Sequence, residues 1–352
     1  MTITSSMSRN QNHNSSKRIK TCDNCDVAPW SDLNHDALFI VMMRLRVADF
    51  VAFSEVCKSW RSLALPNKKR FMASKSPMLM RISTCASNKK WICLEDFEGG
   101  KSKTTLPHSG GRFYLGLTCG YFIMFGRETK DFWLVNPITR HGLHFTPVPI
   151  FYCESRIRAI LVFSSIISKW VFVILYRFDH FIWFSIAGEG AWNHVSSTSP
   201  IIDIHAFKGK IYTIDYDYDY NSDRGEARHL CEMRLNPDPK LTLLKTKNFP
   251  KNDLFLPKFI SSDENLYLID SFPNNLWKVY ELDFGEMKWV PFEETRDEYA
   301  FFFNGFKHGA AVKIESKDQR YDDHDESGNG RFIAGNMWYF PHECLNVNLL
   351  HE

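Results

Sequence analysis

A short strand motif recurs four times along the chain and limits the possible folds more than any other feature. Each copy is a run of apolar and aromatic residues that begins at Gly or Asn, in residues 120–125, 209–215, 265–270 and 335–340. Short apolar runs separated by Gly, Pro, Asn and Asp are typical of β-strands joined by turns. From about residue 77 onward, the sequence therefore predicts an all-β region.

A second strand that ends in a turn follows each of the first three copies, in residues 132–139, 233–238 and 279–285. Residues 169–195 contain a further copy with a longer turn. Repeats of three or four strands with a period of roughly 40–55 residues are typical of propeller blades, because one small sheet must stack against the next to bury its faces. The pattern predicts a degenerate β-propeller in residues 77–352. An irregular β-sandwich is the alternative that so loose a period leaves open.

Residues 159–176 are mostly apolar and about long enough to span a bilayer. Lys169 interrupts this run, and Ser164, Ser165 and Ser168 dilute it. Val, Ile and Phe dominate the remainder, which favours strands over a helix. We therefore expect two buried strands joined by a turn, and no membrane association.

Residues 30–66 have helical periodicity. A first helix is predicted over 36–45, a second over 48–56, and a third from 57 toward 65 with its end at Pro66. Three short helices bury little area alone, so this segment is expected to need a partner or a neighbouring domain. The apolar stripe of the first helix consists of Leu38, Val41, Met42 and Leu45.

The charges of the chain are balanced, with 43 Lys and Arg against 41 Asp and Glu and a formal net charge of +2. This balance predicts neither nucleic-acid binding nor a strongly basic partner. The 9 cysteines are an odd number without regular spacing, which indicates a reducing compartment, the nucleus and/or the cytoplasm.

Residues 1–28 are predicted to be a disordered polar tail, rich in Ser, Thr and Asn and without the apolar core of a signal peptide. The tail has no acidic residue before Asp23, a composition that organellar transit peptides share. Residues 17–20 form a weak nuclear signal. Organellar targeting therefore stays open at this point.

The helical segment, residues 29–66, resembles an F-box. The resemblance rests on residues 30–33 and 36–38 and above all on the block 56–61, Val-Cys-Lys-Ser-Trp-Arg. F-boxes dock on the Skp1-type adaptor, which links them to a cullin and a RING subunit. The resemblance implies that seven residues form or support the adaptor contact: Leu33, Leu38, Ile40, Leu45, Val56, Cys57 and Trp60.

The remaining chain resembles the kelch-related C-terminal domain of unknown function found on many plant F-box proteins. Residues 136–140, 187–192, 207–212 and 335–340 carry this resemblance. Together the two resemblances imply an α+β chain, a three-helix F-box followed by an all-β, kelch-like propeller. The implied function is substrate recognition in an SCF-type (Skp1–cullin–F-box) E3 ubiquitin ligase, with an unknown target protein, no catalysis and no cofactor.

Asn34 stands where the F-box pattern usually has Pro. The Asn side chain can cap the helix, but the apolar ring that would contact the adaptor is lost. The main alternative is therefore an F-box-derived interaction protein that no longer engages the ligase.

No nucleophile elbow, phosphate-binding loop, zinc-protease motif or dinucleotide fingerprint is present. Residues 22–25 form a lone Cys-x-x-Cys without the second pair that a structural zinc site needs, so no metal is expected. Asp215, Asp217 and Asp219 alternate with tyrosines and would share one face of a strand. Paired carboxylates could act as acid and base, which leaves a carbohydrate-active propeller as a less favoured alternative to a solvated hairpin tip.

Overall fold

Three helices precede a long succession of β-strands in the computed structural model. The structure describes residues 33–84, 90–96, 99–149, 154–217, 226–235, 238–250, 254, 256–270, 278–292, 299–304, 308–313, 332–334 and 337–341. The polar tail, the Cys pair at 22–25 and Asp219 lie outside these residues.

The helices are α1 (His35–Arg44), α2 (Val47–Val56) and α3 (Lys58–Ala73). At the start of α1, the side-chain oxygen Oδ1 of Asn34 accepts a hydrogen bond from the Asp36 backbone N–H at 2.9 Å. This bond confirms the predicted cap and satisfies one of the N–H groups that have no partner within the helix.

The prediction that the third helix ends at Pro66 is wrong, because α3 continues through Pro66 to Ala73. A proline inside a helix costs about 3 kcal/mol. The turns beyond it bury Phe71 and Met72 completely or nearly so, and the Phe71 ring stacks on Phe50 with 4.2 Å between centroids. Burying each such side chain contributes about 1.5–3 kcal/mol, enough to offset the proline.

Short strands make up the rest of the described chain. They are β1 (Met78–Thr84), β2 (Lys90–Glu95), β3 (Lys101–Thr105), β4 (Arg112–Thr118), β5 (Tyr121–Gly126), β6 (Phe132–Val135), β7 (Gly142–Phe145), β8 (Ile157–Ser164), β9 (Lys169–Tyr176), β10 (Asp179–Ile186), β11 (Asn193–Phe207), β12 (Lys210–Asp217), β13 (Glu226–Arg234), β14 (Lys240–Leu244), β15 (Pro257–Ser261), β16 (Leu266–Asp270), β17 (Val279–Asp283), β18 (Lys288–Pro291), β19 (Tyr299–Asn304), β20 (His308–Lys313), β21 (Phe332–Ala334) and β22 (Met337–Tyr339).

These strands form five sheets, nearly all antiparallel. Strands β4–β7 and β15–β18 each form a four-stranded sheet in sequence order, and β8–β14 form one sheet of seven. Strand β11 connects the two halves of that larger sheet, since its first part pairs with β10 and its second part pairs with β12. The pairing with β10 shifts register at a point that includes Pro200, which has no N–H to donate.

The predicted repeat corresponds to real strands. Three copies of the motif coincide with β5, β12 and β16, and the fourth contains β22. Strand β22 pairs with β1, for example Leu79 with Trp338, so the end of the described chain joins the first sheet. Strand β4 contacts β8, β8 contacts β11, β11 contacts β15, and β15 contacts β20. This succession of stacked sheets is propeller-like, which agrees with the predicted class of fold.

The apolar stretch at 159–176 is two strands, as predicted. Strands β8 and β9 pair along their whole length, from Ile157 opposite Tyr176 to Ser164 opposite Lys169. Within the described part of the chain, no helix is both long enough and apolar enough to cross a membrane.

The three helices share one hydrophobic core with the first two sheets. Leu38, Phe53 and Phe71 from the helices belong to the same buried cluster as Ile92 of β2 and Phe122 of β5. The helical segment is therefore packed against the β region along a continuous apolar interface, as the expected need for a neighbouring domain suggested.

Candidate functional site

One face of α1 is apolar although it is open to solvent. Ala37, Ile40, Val41 and Arg44 follow one another at helical spacing, and all four are exposed. Ile40 is 55% exposed and Val41 48%. The solvent face of a surface helix normally carries polar residues, so this exposed α1 face has the composition of a contact surface.

The opposite face of α1 holds the helix in place. Leu38 and Met42 are 1% and 0% exposed and lie in the shared core. Phe39 is partly buried against the same core, and the Arg70 guanidinium of α3 lies 5.1 Å from the centre of its ring. Because α1 is anchored along one side, the exposed α1 face is presented in a fixed orientation.

The junction of α2 and α3 adds a further exposed apolar residue. Val56, the last residue of α2, is 58% exposed, and Cys57 follows it with extended backbone and partial exposure. The His35 ring of α1 approaches the Ser59 hydroxyl of α3 at 3.5 Å. The start of α1 and the α2–α3 junction are thus neighbours in space.

The seven residues of the predicted adaptor contact fall into three environments. Ile40 and Val56 are exposed, and Leu38 is buried. Leu33, Leu45, Cys57 and Trp60 are intermediate. Trp60 packs on Phe53 with 4.5 Å between ring centroids. The exposed members can contact a partner directly and the intermediate ones through the part of their surface that is open, whereas the buried Leu38 supports the helix that carries them.

A cluster of buried charges, which the sequence analysis did not identify, links three neighbouring strands of the β region. Asp203 on β11 lies at its centre: its Oδ1 is 3.2 Å from Arg158 Nε, and its Oδ2 accepts from the Phe259 backbone N–H at 2.8 Å. Arg177 Nε donates to the Ile202 carbonyl at 2.8 Å. Lys258, on β15, is only 2% exposed.

Burial and the neighbouring guanidinium groups set the protonation of this cluster. Removal of Lys258 from water, reinforced by the positive charge of Arg158, lowers the pKa of its ammonium to about 7, although Asp203 acts in the opposite direction. Burial also lowers the pKa of Arg177. The only sequence signal for the cluster was the presence of single charged residues within apolar strands.

Asp215 and Asp217, which alternate with tyrosines, form no catalytic pair among the residues that the structure describes. Asp215 accepts hydrogen bonds from the backbone N–H of His229 at 2.7 Å and lies 3.1 Å from His229 Nδ1. On the neighbouring strand, burial raises the pKa of the Cys231 thiol to about 11, which keeps it protonated and unreactive. The side chain of Asp217 and all of Asp219 lie outside the described residues.

A further carboxylate, the buried Asp131, is tightly held in the second sheet. Arg112 binds both oxygens of Asp131, and His144 Nε2 lies 3.0 Å from Asp131 Oδ2. These hydrogen bonds keep the pKa of Asp131 well below its usual range although desolvation acts to raise it. An ionised carboxylate so engaged is structural. The part of the chain that the structure describes contains no group of three His, Cys, Asp or Glu able to hold a metal ion.

The stacked antiparallel sheets place the chain in the propeller class. A family model confirms this and makes it specific: the KIB1-4 beta-propeller model matches residues 50–340. The chain belongs to the KIB1-4 beta-propeller family. The match begins within α2, so α1 and its exposed face precede it.

Three known structures that resemble the chain do so distantly. Dihydro-heme d1 dehydrogenase NirN aligns with TM-score 0.37 and 8% identity over 61% of this chain and 45% of its own. TolB from Acinetobacter baumannii aligns with TM-score 0.38 and 12% identity, over 61% of this chain and 51% of that one. YCF48 from Cyanidioschyzon merolae aligns with TM-score 0.37 and 10% identity, over 68% of this chain and 94% of that one.

The chain therefore spans about half the length of NirN and of TolB. No curated protein matches the sequence.

Proposed function

We propose that this protein is a non-catalytic substrate receptor of an SCF-type E3 ubiquitin ligase. In this proposal the helical segment binds a Skp1-type adaptor, and the propeller-like region holds a target protein. The ligase then acts by tethering, because binding both proteins raises the effective concentration of the target near the ubiquitin-loaded enzyme.

The observation that carries the proposal is the exposed α1 face. A rigidly anchored helix presents Ala37, Ile40 and Val41 to solvent, and Val56 is exposed at the α2–α3 junction nearby. Burial of such side chains against a partner contributes about 25 cal/mol per Å² of apolar surface. Ile40 and Val56 are also two of the seven positions that the F-box resemblance assigns to the adaptor contact.

Asn34 supports the helix that carries the proposed contact. Its side chain caps α1 directly, so the helix that carries the exposed α1 face begins correctly without the usual proline. The alternative, an F-box-derived protein outside the ligase, rests on the loss of the apolar contact that a proline ring would make with the adaptor, and adaptor binding by the wild-type protein decides between the two.

The test is capture of the full-length protein by a purified Skp1-type adaptor. The full chain is used because the helices share their core with the β region. Ile40→Asp places a charge in the centre of the exposed α1 face, and we expect it to weaken binding at least tenfold, since an unpaired charge must then be desolvated at the interface. Val56→Asp should act in the same direction.

Ile166→Asp is the matched control. Ile166 is 72% exposed in the turn between β8 and β9, far along the chain from the helices, so the same substitution there should leave adaptor binding unchanged. A folded wild-type protein that the adaptor does not bind would contradict the proposal. Equal binding by Ile40→Asp and Ile166→Asp would contradict the assigned surface.

A further inference from the structure

A cleft of about 560 Å³ lies between the helices and the first sheet. Its walls come from the turn between α1 and α2, the segment after α3, and the β2–β3 hairpin. The volume is in the range of ligand-binding clefts. Among the described residues, one carboxylate and four cationic side chains line the cleft; the carboxylate is Asp96, and the cations are Arg44, Arg46, Lys75 and Lys101.

Two of the cleft's cations, Arg46 and Lys101, are exposed and take part in ion pairs. Arg46 Nε lies 2.8 Å from Asp49 Oδ2, and Lys101 Nζ lies 3.2 Å from Glu95 Oε1. Pairs of this kind contribute roughly 0–1 kcal/mol in water. A carboxylate brought in by a partner can therefore compete for these cations at little cost.

Two further charged groups, Lys75 and Asp96, line the cleft. Lys75 Nζ donates to a neutral acceptor, the Met43 carbonyl, at 2.9 Å. Asp96 Oδ1 accepts the Gly100 N–H at 2.6 Å, which ties that carboxylate to the backbone of its own hairpin. Apolar side chains lie among the cations, including Leu45, Met78 and Leu94.

The cleft is continuous with the exposed α1 face. Arg44 belongs to both, because it ends the row of exposed α1 residues and also lines the cleft. A protein that covers Ile40 and Val41 therefore reaches the mouth of the cleft within one turn of the helix.

We infer that the protein which binds the exposed α1 face inserts an acidic segment into this cleft. Carboxylate side chains of that segment pair with Lys101, Lys75 and Arg46, and its apolar residues pack on the apolar part of the lining. This inference rests on the proposed function, since the partner is the Skp1-type adaptor proposed above. It adds the chemistry that the adaptor must present beside its apolar contact.

The experiment compares two charge reversals in the full-length protein by measuring the dissociation constant for the adaptor at low and at physiological salt. Lys101→Glu reverses a charge in the cleft. Lys210→Glu is its matched control, because Lys210 also pairs with a glutamate, Glu232, at 3.2 Å and has nearly the same side-chain exposure, 55% against 59%. Circular dichroism is used to check that both variants are folded.

We expect Lys101→Glu to weaken binding about tenfold at low salt and to flatten its salt dependence, with Lys210→Glu like the wild type. If Lys101→Glu and Lys210→Glu bind equally well while Ile40→Asp still weakens binding, the acidic-segment inference is wrong and the proposed function stands. If the wild type itself does not bind, both are wrong.

Discussion

At the scale of single residues, Lys258 has the most unusual environment among the described ionisable groups. The sequence shows a lysine within the apolar run of β15, which marks it as unusual, but only the fold brings Arg158 and Arg177 beside it. Contacts between strands so far apart along the chain depend on how sheets stack, and no local pattern encodes that.

Replacement of Lys258 by Met is expected to stabilise the protein at pH 7. The unfolded chain keeps this lysine protonated up to its ordinary pKa of 10.5, whereas the folded protein releases the proton near pH 7. Between these values the unfolded state binds more protons, so the stability of the wild type rises with pH by about 1.4 kcal/mol per unit. Below pH 7 this contribution is constant.

The measurement is the free energy of unfolding of wild type and Lys258→Met by chemical denaturation from pH 7 to 10. The advantage of the variant should be largest at pH 7 and shrink as the pH rises. An exposed control, Lys240→Met, should show no such trend. A gap that stays constant with pH would contradict the assigned environment.

A single substitution tests how much the cap of α1 contributes to stability. Asn34→Ala removes the side-chain acceptor for the Asp36 N–H, and we expect a loss of about 1 kcal/mol in the free energy of unfolding. Asn34→Asp keeps an acceptor at the same position and should be close to the wild type. Equal stability of Asn34→Ala and the wild type would show that the cap makes no net contribution.

At the scale of elements, strands were easier to predict than the end of α3. Strands β8 and β9 were expected because each is an apolar run bounded by polar residues, a local signal. The continuation of α3 beyond Pro66 depends on the stacking of Phe71 on Phe50. This is a tertiary contact, and it overrides the local helix propensity.

Pro66→Ala therefore should stabilise the protein. Alanine restores a backbone N–H inside α3 and removes the ring from a helix interior, and we expect a gain of about 1–2 kcal/mol after the lower entropy of the proline-containing unfolded chain is subtracted. Urea denaturation measures this gain. A loss of stability would mean that the helix bends at Pro66 in a way that its packing requires.

Which face of α1 is exposed could also be determined only from the structure. The sequence placed Val41 in the buried stripe together with Leu38 and Met42, yet Val41 is 48% exposed. Periodicity defines a stripe only to within a residue, and the position of α3 and the first sheet decides which side is covered. The F-box resemblance had assigned Ile40 and Val56 to a contact, and both are open to solvent.

At the scale of the whole molecule, the helices and the β region should unfold as one unit because they share a core. Phe71→Ala removes a fully buried ring from that core and should cost about 3–5 kcal/mol. Denaturation followed by circular dichroism and by tryptophan fluorescence should give coincident transitions in both proteins. Separate transitions would contradict a shared core.

The proposed function depends on docking of the exposed α1 face on a Skp1-type adaptor. Amide hydrogen exchange of the full-length protein, with and without the adaptor, tests it most directly, since protection maps the contact without any substitution. We expect added protection in α1 (His35–Arg44) and around Val56, with strands β8 to β14 unchanged. Protection confined to the β region, or none at all, would contradict it.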